Sequence, residues 1–297
     1  MPAPFTTSRP RRSCLYMPGA NERALEKAKT IAADTLLLDL EDAVAPDAKV
    51  EARDRVCAAV KSGGYGKREI IIRMNGLDTT WGGDDLVAGV AAGPNGILAP
   101  KVSSAAEVHA LNDDLTEAGA SDDFALWIMI ETPLSILNLK EIAACAETTR
   151  LTTFVMGTND LAKDMRALMT PDRLAFQTHL TLAVTAAKAY GVTAIDGVYN
   201  DIKNAEGFEA ECQQGRVMGF DGKTLIHPAQ VEACNSVFSP SQADIAQAKD
   251  VIAAFADPEN AGKGVLKVNG KMTEILHLVE AERLIEVDKA IQLLAQD

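Results

Sequence analysis

Cysteine is scarce and scattered in this sequence. The number of cysteines is odd and no two form a CxxC pair, which disfavours both a disulfide framework and a zinc site. Aromatic residues are also few, at 5%, whereas 47% of the residues are hydrophobic, so the chain has ample apolar material for a core. The five cysteines lie at positions 14, 57, 145, 212 and 234.

Long hydrophobic runs are absent as well. No apolar stretch approaches the ~18 residues that a membrane-spanning helix needs. Residues 1–12 carry arginines with no hydrophobic segment after them, which disfavours a secretory signal. The net charge of −13 argues against nonspecific binding to nucleic acid or to anionic membranes. These features predict a cytoplasmic protein whose partner is a small molecule.

Two common nucleotide-binding motifs are missing. Residues 219–224 resemble a P-loop, but the position of its first glycine is occupied by Val217. No GxGxxG follows the first predicted strand, so the dinucleotide fingerprint is absent too.

What the sequence does contain is a regular alternation of short apolar runs and amphipathic helical stretches. This alternation predicts parallel strands with helices outside them. Eight such units favour a (β/α)8 TIM barrel, with an open doubly wound sheet as the lesser alternative. The eight predicted strands are 14–17, 36–40, 70–73, 96–100, 126–130, 153–156, 194–197 and 223–227. The helical stretches predicted between them are 21–33, 48–62, 105–118, 134–148, 171–190 and 205–218.

The alternation ends after residue 227. We therefore expect a TIM-barrel catalytic domain over residues 1–238 and a C-terminal helical extension over residues 239–297. The extension is expected to be a lid or an oligomer arm, and its apolar final helix suggests a homo-trimer or homo-hexamer.

The stretch from Leu126 to Asp160 carries the clearest chemical signal. Two predicted strands flank a helical segment, and each is followed by an acid, Glu131 and Asp160. Right-handed crossovers bring the ends of neighbouring parallel strands to one edge of the sheet. Two acids at that edge suit an oxygen-ligated cation such as Mg²⁺, with waters completing its shell. The alternative is that each acid caps the following helix.

Arg73 follows a predicted strand, at the mouth of the predicted barrel. A guanidinium there can hold a substrate carboxylate with two parallel hydrogen bonds. The alternative is a salt bridge to Glu41 or Asp42, which follow the neighbouring strand. Both roles are compatible, because buried carboxylates need partners.

The first predicted strand leads into a tight turn and a helix that carries Arg23 and Lys27. A helix N-terminus with two cations can hold phosphate groups. The alternative is that both cations are simply solvated on the surface of the helix.

Blocks at the strand ends carry a family resemblance. They look like the citrate lyase beta-subunit family, in order across almost the whole chain. The resemblance implies a magnesium-dependent (β/α)8 barrel acting on 3-hydroxyacyl-CoA thioesters. The family includes malyl-CoA and citramalyl-CoA lyases and a branch that hydrolyses malyl-CoA. The blocks are Leu15-Tyr16-Met17-Pro18-Gly19, Leu38-Asp39-Leu40-Glu41-Asp42-Ala43-Val44, Ile72-Arg73-Met74-Asn75-Gly76, Met129-Ile130-Glu131-Thr132, Met156-Gly157-Thr158-Asn159-Asp160-Leu161 and Gly222-Lys223-Thr224-Leu225-Ile226-His227-Pro228.

The resemblance implies roles for particular residues. Glu131 and Asp160 would hold Mg²⁺, with Mn²⁺ as an alternative, and Glu131 would also contact the substrate. Arg73 would bind the carboxylate of the glyoxylate-like half. Glu41 and Asp42 would support that arginine and the water shell of the metal.

The other end of the substrate is implied to be coenzyme A. Tyr16, Arg23 and Lys27 would lie near it. The chain is most similar to the malyl-CoA members, and residues 157–163 and 196–200 are similar to the hydrolytic branch.

One segment departs from the family pattern. The family has glycine, any residue, methionine, an aliphatic residue and then a catalytic aspartate, whereas this chain has Gly270-Lys271-Met272-Thr273-Glu274. Glu274 is one methylene longer than aspartate, and a displacement of about one ångström can cost ~100-fold in rate. This departure leaves room for water to attack the thioester.

The resemblance therefore predicts a lyase that splits a malyl-CoA-type substrate into a 2-oxoacid such as glyoxylate and an acyl-CoA, with Glu274 or a metal-ordered water as the proton donor. The alternative is a (3S)-malyl-CoA thioesterase. Two further alternatives are a Schiff-base aldolase that uses Lys101 or Lys223, and a subunit that works only within a carrier complex. The acyl group is malyl, β-methylmalyl or citramalyl.

Overall fold

A computed structural model describes residues 9–295 of the chain. The predicted lack of a secretory signal concerns residues 1–12, most of which lie outside that range. The chain divides into two compact units at residue 238. The first comprises residues 11–238, and the second begins at residue 239.

The first unit is a closed barrel of eight parallel strands in sequential order. This confirms the predicted TIM barrel and rules out the open sheet. Each predicted strand is found within two residues of its expected bounds, because the apolar runs are buried on both faces of the barrel wall. The strands are β1 Ser13–Pro18, β2 Thr35–Asp39, β3 Glu69–Arg73, β4 Gly96–Ala99, β5 Ala125–Ile130, β6 Leu151–Met156, β7 Thr193–Asp196 and β8 Gly222–Leu225.

Helices follow the strands of this unit. The helix over 205–218 has the bounds that its sequence predicts, but α7 was not predicted because its first turn is polar and resembles a loop. The helices are α1 Glu22–Ala28, α2 Lys49–Ser62, α3 Gly82–Ala92, α4 Ala105–Glu117, α5 Pro133–Leu137, α6 Leu139–Ala144, α7 Thr158–Met165, α8 Gln177–Ala189, α9 Ala205–Met218 and α10 Val231–Phe238, with 3-10 turns at Pro46–Ala48, Cys145–Glu147 and Pro228–Gln230.

Two predicted helices are shorter than expected for local reasons. The helix predicted over 171–190 begins only at Gln177, since Arg173 has φ of 54°, a left-handed conformation that no α-helix accommodates. The helix predicted over 134–148 breaks at Asn138, which ends α5 and begins α6.

The inside of the barrel changes from apolar to ionic towards both ends. The middle is filled by Leu37, Ile71, Trp127 and their neighbours. At the N-terminal end, the Nε and Nη2 of Arg11 donate to the two carboxylate oxygens of Glu69, at 2.7 and 2.8 Å. The Arg11 guanidinium also lies 5.0 Å from the centre of the Trp127 ring. This pair closes the end of the barrel that is opposite to the functional face of the fold.

The second unit packs two helices and a hairpin around a small core. Helices α11 Gln242–Ala256 and α12 Ile275–Leu294 flank the strands β9 Val265–Val268 and β10 Lys271–Glu274, and a 3-10 turn lies at Pro258–Asn260. The core includes Val251, Leu266 and Ala281. The sequence of residues 264–269 predicts a short extended segment, and β9 forms there, whereas β10 is an additional, largely polar strand that was not predicted. The expected lid or oligomer-arm role of this unit remains a prediction.

No helix in residues 9–295 has both the length and the apolar character required to cross a membrane.

Candidate active site

A cavity of about 330 Å³ lies at the C-terminal ends of the barrel strands. Its size lies within the range of small-molecule sites. It brings together three residues predicted from separate parts of the sequence, Arg73, Glu131 and Asp160. The remaining lining residues are Tyr16, Pro18, Asp39, Asp42, Ala43, Met129, Met156, Gly157, Thr158, Asn159, Val198, Asn200, Thr224 and Ile226.

Glu131 follows β5 directly and is 2% exposed. The backbone N–H of Lys101 donates to its Oε1 at 2.7 Å. That N–H belongs to a residue with φ of 57°, and such strain is often found at functional sites. Burial raises the pKa of Glu131 to about 8, and the nearby Asp160 carboxylate adds to the rise. The negative charge of Asp160 therefore disfavours ionisation of Glu131 in this cavity.

Asp160 lies in the first turn of α7, four residues after β6 ends, and not at the strand end as predicted. The Nζ of Lys163 donates to its Oδ1 at 2.8 Å. Between strand and helix lies Gly157, where an added Cβ would overlap both the Oε2 and the Cβ of Glu131. Glycine at this turn is what allows α7 to lie close to Glu131.

The pair of carboxylates fits a divalent cation. The ionisation of Glu131 is disfavoured by burial and by the neighbouring Asp160 carboxylate, and a doubly positive ion would relieve this cost. Within residues 9–295 there is no group of three or more histidine, cysteine, aspartate or glutamate side chains suited to a metal. Two protein carboxylates suit Mg²⁺, which usually keeps several waters and oxygen atoms of its substrate.

Arg73 is more heavily engaged than predicted. Its Nε and Nη2 both donate to Asp39, at 2.7 Å each, and its Nη1 lies 2.9 Å from Glu41 and 3.3 Å from Asp42. The guanidinium also stacks 4.6 Å from the centre of the Tyr16 ring. The expected two-pronged grip on a substrate carboxylate is therefore not available on the Nε/Nη2 edge, because Asp39 holds that edge.

Asp39 is the main cavity residue that is missing from the site predicted from the sequence. The signal was present, since an acid interrupts the apolar Leu38-Asp39-Leu40 stretch of a buried strand, and Asp39 pairs with Arg73 in the β2–β3 register. Burial raises the pKa of Glu41, although the charge of Arg73 opposes the rise. Glu41 and Asp42 both lie within salt-bridge distance of Arg73, and their role in supporting that arginine and the water shell of a metal remains a prediction.

The residues expected near coenzyme A are divided. Tyr16 lines the cavity, and burial raises the pKa of its hydroxyl. Arg23 and Lys27 lie exposed on α1, outside the lining of the cavity, and their contact with coenzyme A remains a prediction. Glu274 lies at the end of β10 in the second unit, where its backbone N–H donates to Nδ1 of His277 at 2.9 Å. Its catalytic role also remains a prediction.

The two lysines considered for Schiff-base chemistry lie in unsuitable surroundings. Lys223 is fully buried outside the cavity lining and donates to Asp196 at 3.1 Å and Glu211 at 2.7 Å. Burial alone would lower the pKa of Lys223, but these two carboxylates outweigh it and raise the pKa. The Lys101 side chain is half exposed, and its Nζ lies 3.7 Å from Glu41. A nucleophilic amine needs a lowered pKa, so the raised pKa of Lys223 disfavours that mechanism.

A pair of amides at the cavity was also missed. The side chains of Asn159 and Asn200 donate to each other, at 3.2 and 2.8 Å. They join the start of α7 to the loop after β7, within the two segments that resemble the hydrolytic branch. The two residues are 41 positions apart in the sequence, and no sequence pattern predicts their contact.

Comparison with known proteins places these observations in a family. A model of the HpcH/HpaI aldolase/citrate lyase family matches residues 12–228. A (3S)-malyl-CoA thioesterase from Cereibacter sphaeroides is 52% identical over 95% of this chain and 96% of its own length. A citrate lyase subunit beta from Leuconostoc mesenteroides is 34% identical over 96% of both chains.

Solved structures agree with the fold. The protein CitE from Mycobacterium tuberculosis, in complex with magnesium, acetoacetate and coenzyme A, superposes with a TM-score of 0.75. It is 25% identical in sequence, and the match covers 95% of this chain and all of that one.

Proposed function

The chain belongs to the HpcH/HpaI aldolase/citrate lyase family, and we propose that it is a Mg²⁺-dependent thioesterase that hydrolyses (3S)-malyl-CoA to malate and coenzyme A. The observation that carries this proposal is that Glu131, Asp160 and Arg73 line the same cavity. It joins a pair of acids fit for a divalent cation to a guanidinium fit for a carboxylate. A hydroxy-acid thioester carries the groups that such a site recognises.

Hydrolysis is preferred to cleavage of a carbon–carbon bond because of the relatives. Identity to the (3S)-malyl-CoA thioesterase is 52% over nearly the whole of both chains, against 34% to the citrate lyase subunit. The preference reverses the order that the sequence resemblance suggested, in which a lyase came first.

The residues would divide the work as follows. Glu131 and Asp160 would hold Mg²⁺, which when bound supplies Lewis-acid polarisation and lowers the pKa of water. The Nη1 edge of Arg73 would hold the carboxylate of the malyl group. Water adds to the thioester carbon, the C–S bond breaks, and the sulfur leaves as a thiolate that takes up a proton. Glu41, whose pKa is raised by burial, is the proposed proton acceptor within the barrel.

Cleavage of the carbon–carbon bond in the same substrate is the second candidate. It is favoured by the full-length similarity to citrate lyase subunit beta. In that reaction the hydroxyl loses a proton, the bond between its carbon and the CH2 group next to the thioester carbonyl breaks to release glyoxylate, and the acetyl-CoA enolate takes up a proton.

The products separate the two reactions. Purified protein incubated with (3S)-malyl-CoA and Mg²⁺ is expected to release malate and free thiol in equal amounts, measured by chromatography and a thiol reagent. Acetyl-CoA, which lacks the hydroxy-acid carboxylate, is expected to be a poor substrate. Stoichiometric glyoxylate and acetyl-CoA from malyl-CoA would establish the lyase instead. Absence of both reactions would favour a subunit that needs a carrier complex.

A further inference from the structure

Asp39 makes four hydrogen bonds that converge on its buried carboxylate. Its Oδ1 accepts from the Nε of Arg73 at 2.7 Å and from the backbone N–H of Glu41 at 2.9 Å. Its Oδ2 accepts from the Nη2 of Arg73 at 2.7 Å and from the backbone N–H of Ala43 at 3.1 Å. One side chain thus fixes both the orientation of the arginine and the turn that carries Glu41 and Asp42.

This pairing leaves Arg73 one edge for a ligand. The Nε/Nη2 edge is held by Asp39, which is only 1% exposed. The Nη1 atom lies 2.9 Å from Glu41 and beside two groups that line the cavity, Met129 at 3.9 Å and Asp42 at 3.3 Å. The Glu41 side chain is 12% exposed and stays beside Nη1, whereas the Asp42 side chain is 66% exposed, so a ligand carboxylate can take the place of Asp42 at little cost.

We propose that Asp39 is a positioning residue that determines how the site recognises a carboxylate. It commits the Nε/Nη2 edge of Arg73 to the protein and directs Nη1 at the substrate, so that a carboxylate is received in one orientation. The inference rests on the proposed function, because it assigns the carboxylate of the malyl group to that edge.

The barrel contains its own control for this claim. Arg11 and Glu69 form an equally buried two-pronged pair, and Arg11 stacks on Trp127 as Arg73 stacks on Tyr16. Glu69 and Arg73 are the two ends of β3, about 13 Å apart along the strand. Disrupting either pair removes a similar structural contact, but only one of them borders the cavity.

The test compares Asp39→Asn with Glu69→Gln by calorimetric titration of the Mg²⁺-loaded full-length protein with malate and, separately, with coenzyme A. Asp39→Asn is expected to raise the Kd for malate by about 10- to 100-fold, as loss of a well-aimed hydrogen bond to a charged group does. It is expected to leave the Kd for coenzyme A within about twofold, since Nη1 would hold only the carboxylate. Glu69→Gln is expected to change neither.

Unchanged malate affinity in Asp39→Asn, or an equal loss in both variants, would overturn the inference. If Asp39→Asn does not fold, Arg73→Lys is the second variant. Lysine keeps the positive charge beside Asp39 but cannot form two parallel hydrogen bonds with its carboxylate. Full malate affinity in that variant would overturn the inference too. Wild-type protein that binds malate yet does not hydrolyse malyl-CoA would contradict the proposed function while leaving the role of Asp39 standing.

Discussion

Replacing Glu131 by glutamine is expected to lower kcat/KM for malyl-CoA by about 10³-fold or more, because a bound cation supplies several kcal/mol of charge stabilisation in the transition state. Glutamine keeps the shape of the side chain, and its carbonyl can still accept the hydrogen bond from the N–H of Lys101. It removes the negative charge that would hold the cation. The steady-state rate at saturating Mg²⁺ measures the effect, and wild-type activity in the variant would contradict the assignment.

The same substitution is expected to stabilise the metal-free protein, which separates function from folding. The pKa of Glu131 is raised from 4.5 to about 8 on folding. Between those values the native state retains a proton that the unfolded state has lost, so the stability of the wild type falls as pH rises. The glutamine variant carries no such penalty. In the presence of a chelator, the Tm of the variant is expected to exceed that of the wild type by about 2 °C or more at pH 8. This difference in Tm is expected to shrink towards pH 5.

Replacing Gly157 by alanine is expected to cost about 100-fold or more in kcat/KM, since a shift of about one ångström in a catalytic group has that effect. The φ of Gly157 is −99°, so its backbone conformation suits any residue. The reason for the effect is the space that the added Cβ would take from Glu131. The free energy of unfolding is expected to fall by about 1–3 kcal/mol, as in other overpacked sites.

Gly83→Ala is the matched control. Gly83 lies exposed in α3, and an added Cβ there meets no atom within 4 Å. Alanine also has the higher helix propensity, so this variant should be as stable as the wild type or slightly more so, with unchanged activity. Activity near wild type in Gly157→Ala, or equal losses in both variants, would contradict the close approach of Glu131 to the turn.

Much of the fold was predictable because buried strands correspond to short apolar runs in the sequence. β5 is entirely hydrophobic and β6 ends in three hydrophobic residues, 154–156, and these two runs define the spacing of the βαβ unit. Glu131 was predictable for the same reason, since it follows directly where such a run ends. The geometry of neighbouring parallel strands predicts that it lies near Asp160, although Asp160 lies in the first turn of α7 and not at the end of β6.

Other parts depended on contacts that the sequence does not display. The choice of Asp39 over Glu41 as the main partner of Arg73 depends on the register of β2 against β3, which only the folded barrel fixes. The Asn159–Asn200 pair depends on where the folded barrel places the start of α7 relative to the loop after β7. The β9–β10 hairpin does have a sequence signal, the pair Asn269-Gly270, because Asn-Gly is typical of a tight hairpin turn. In the structure both residues have the positive φ that such a turn requires, 49° and 80°.

Reaction type is less accessible to sequence than site location. Hydrolysis and carbon–carbon cleavage require the same acids and the same arginine, and they differ in where a proton and a water molecule are placed. Glu274, which was expected to decide this, lies in the second unit. The relatives were therefore needed to rank the two reactions.

The most direct test of the central claim is calorimetric titration of chelator-treated protein with Mn²⁺, comparing the wild type with Asp160→Asn. We expect one Mn²⁺ per chain in the wild type, with at least about tenfold weaker binding in Asp160→Asn, because the cation would lose one of its two protein carboxylates. Equal Mn²⁺ affinity in the two proteins, or full malyl-CoA turnover by the wild type in excess chelator, would contradict a cation site built from Glu131 and Asp160.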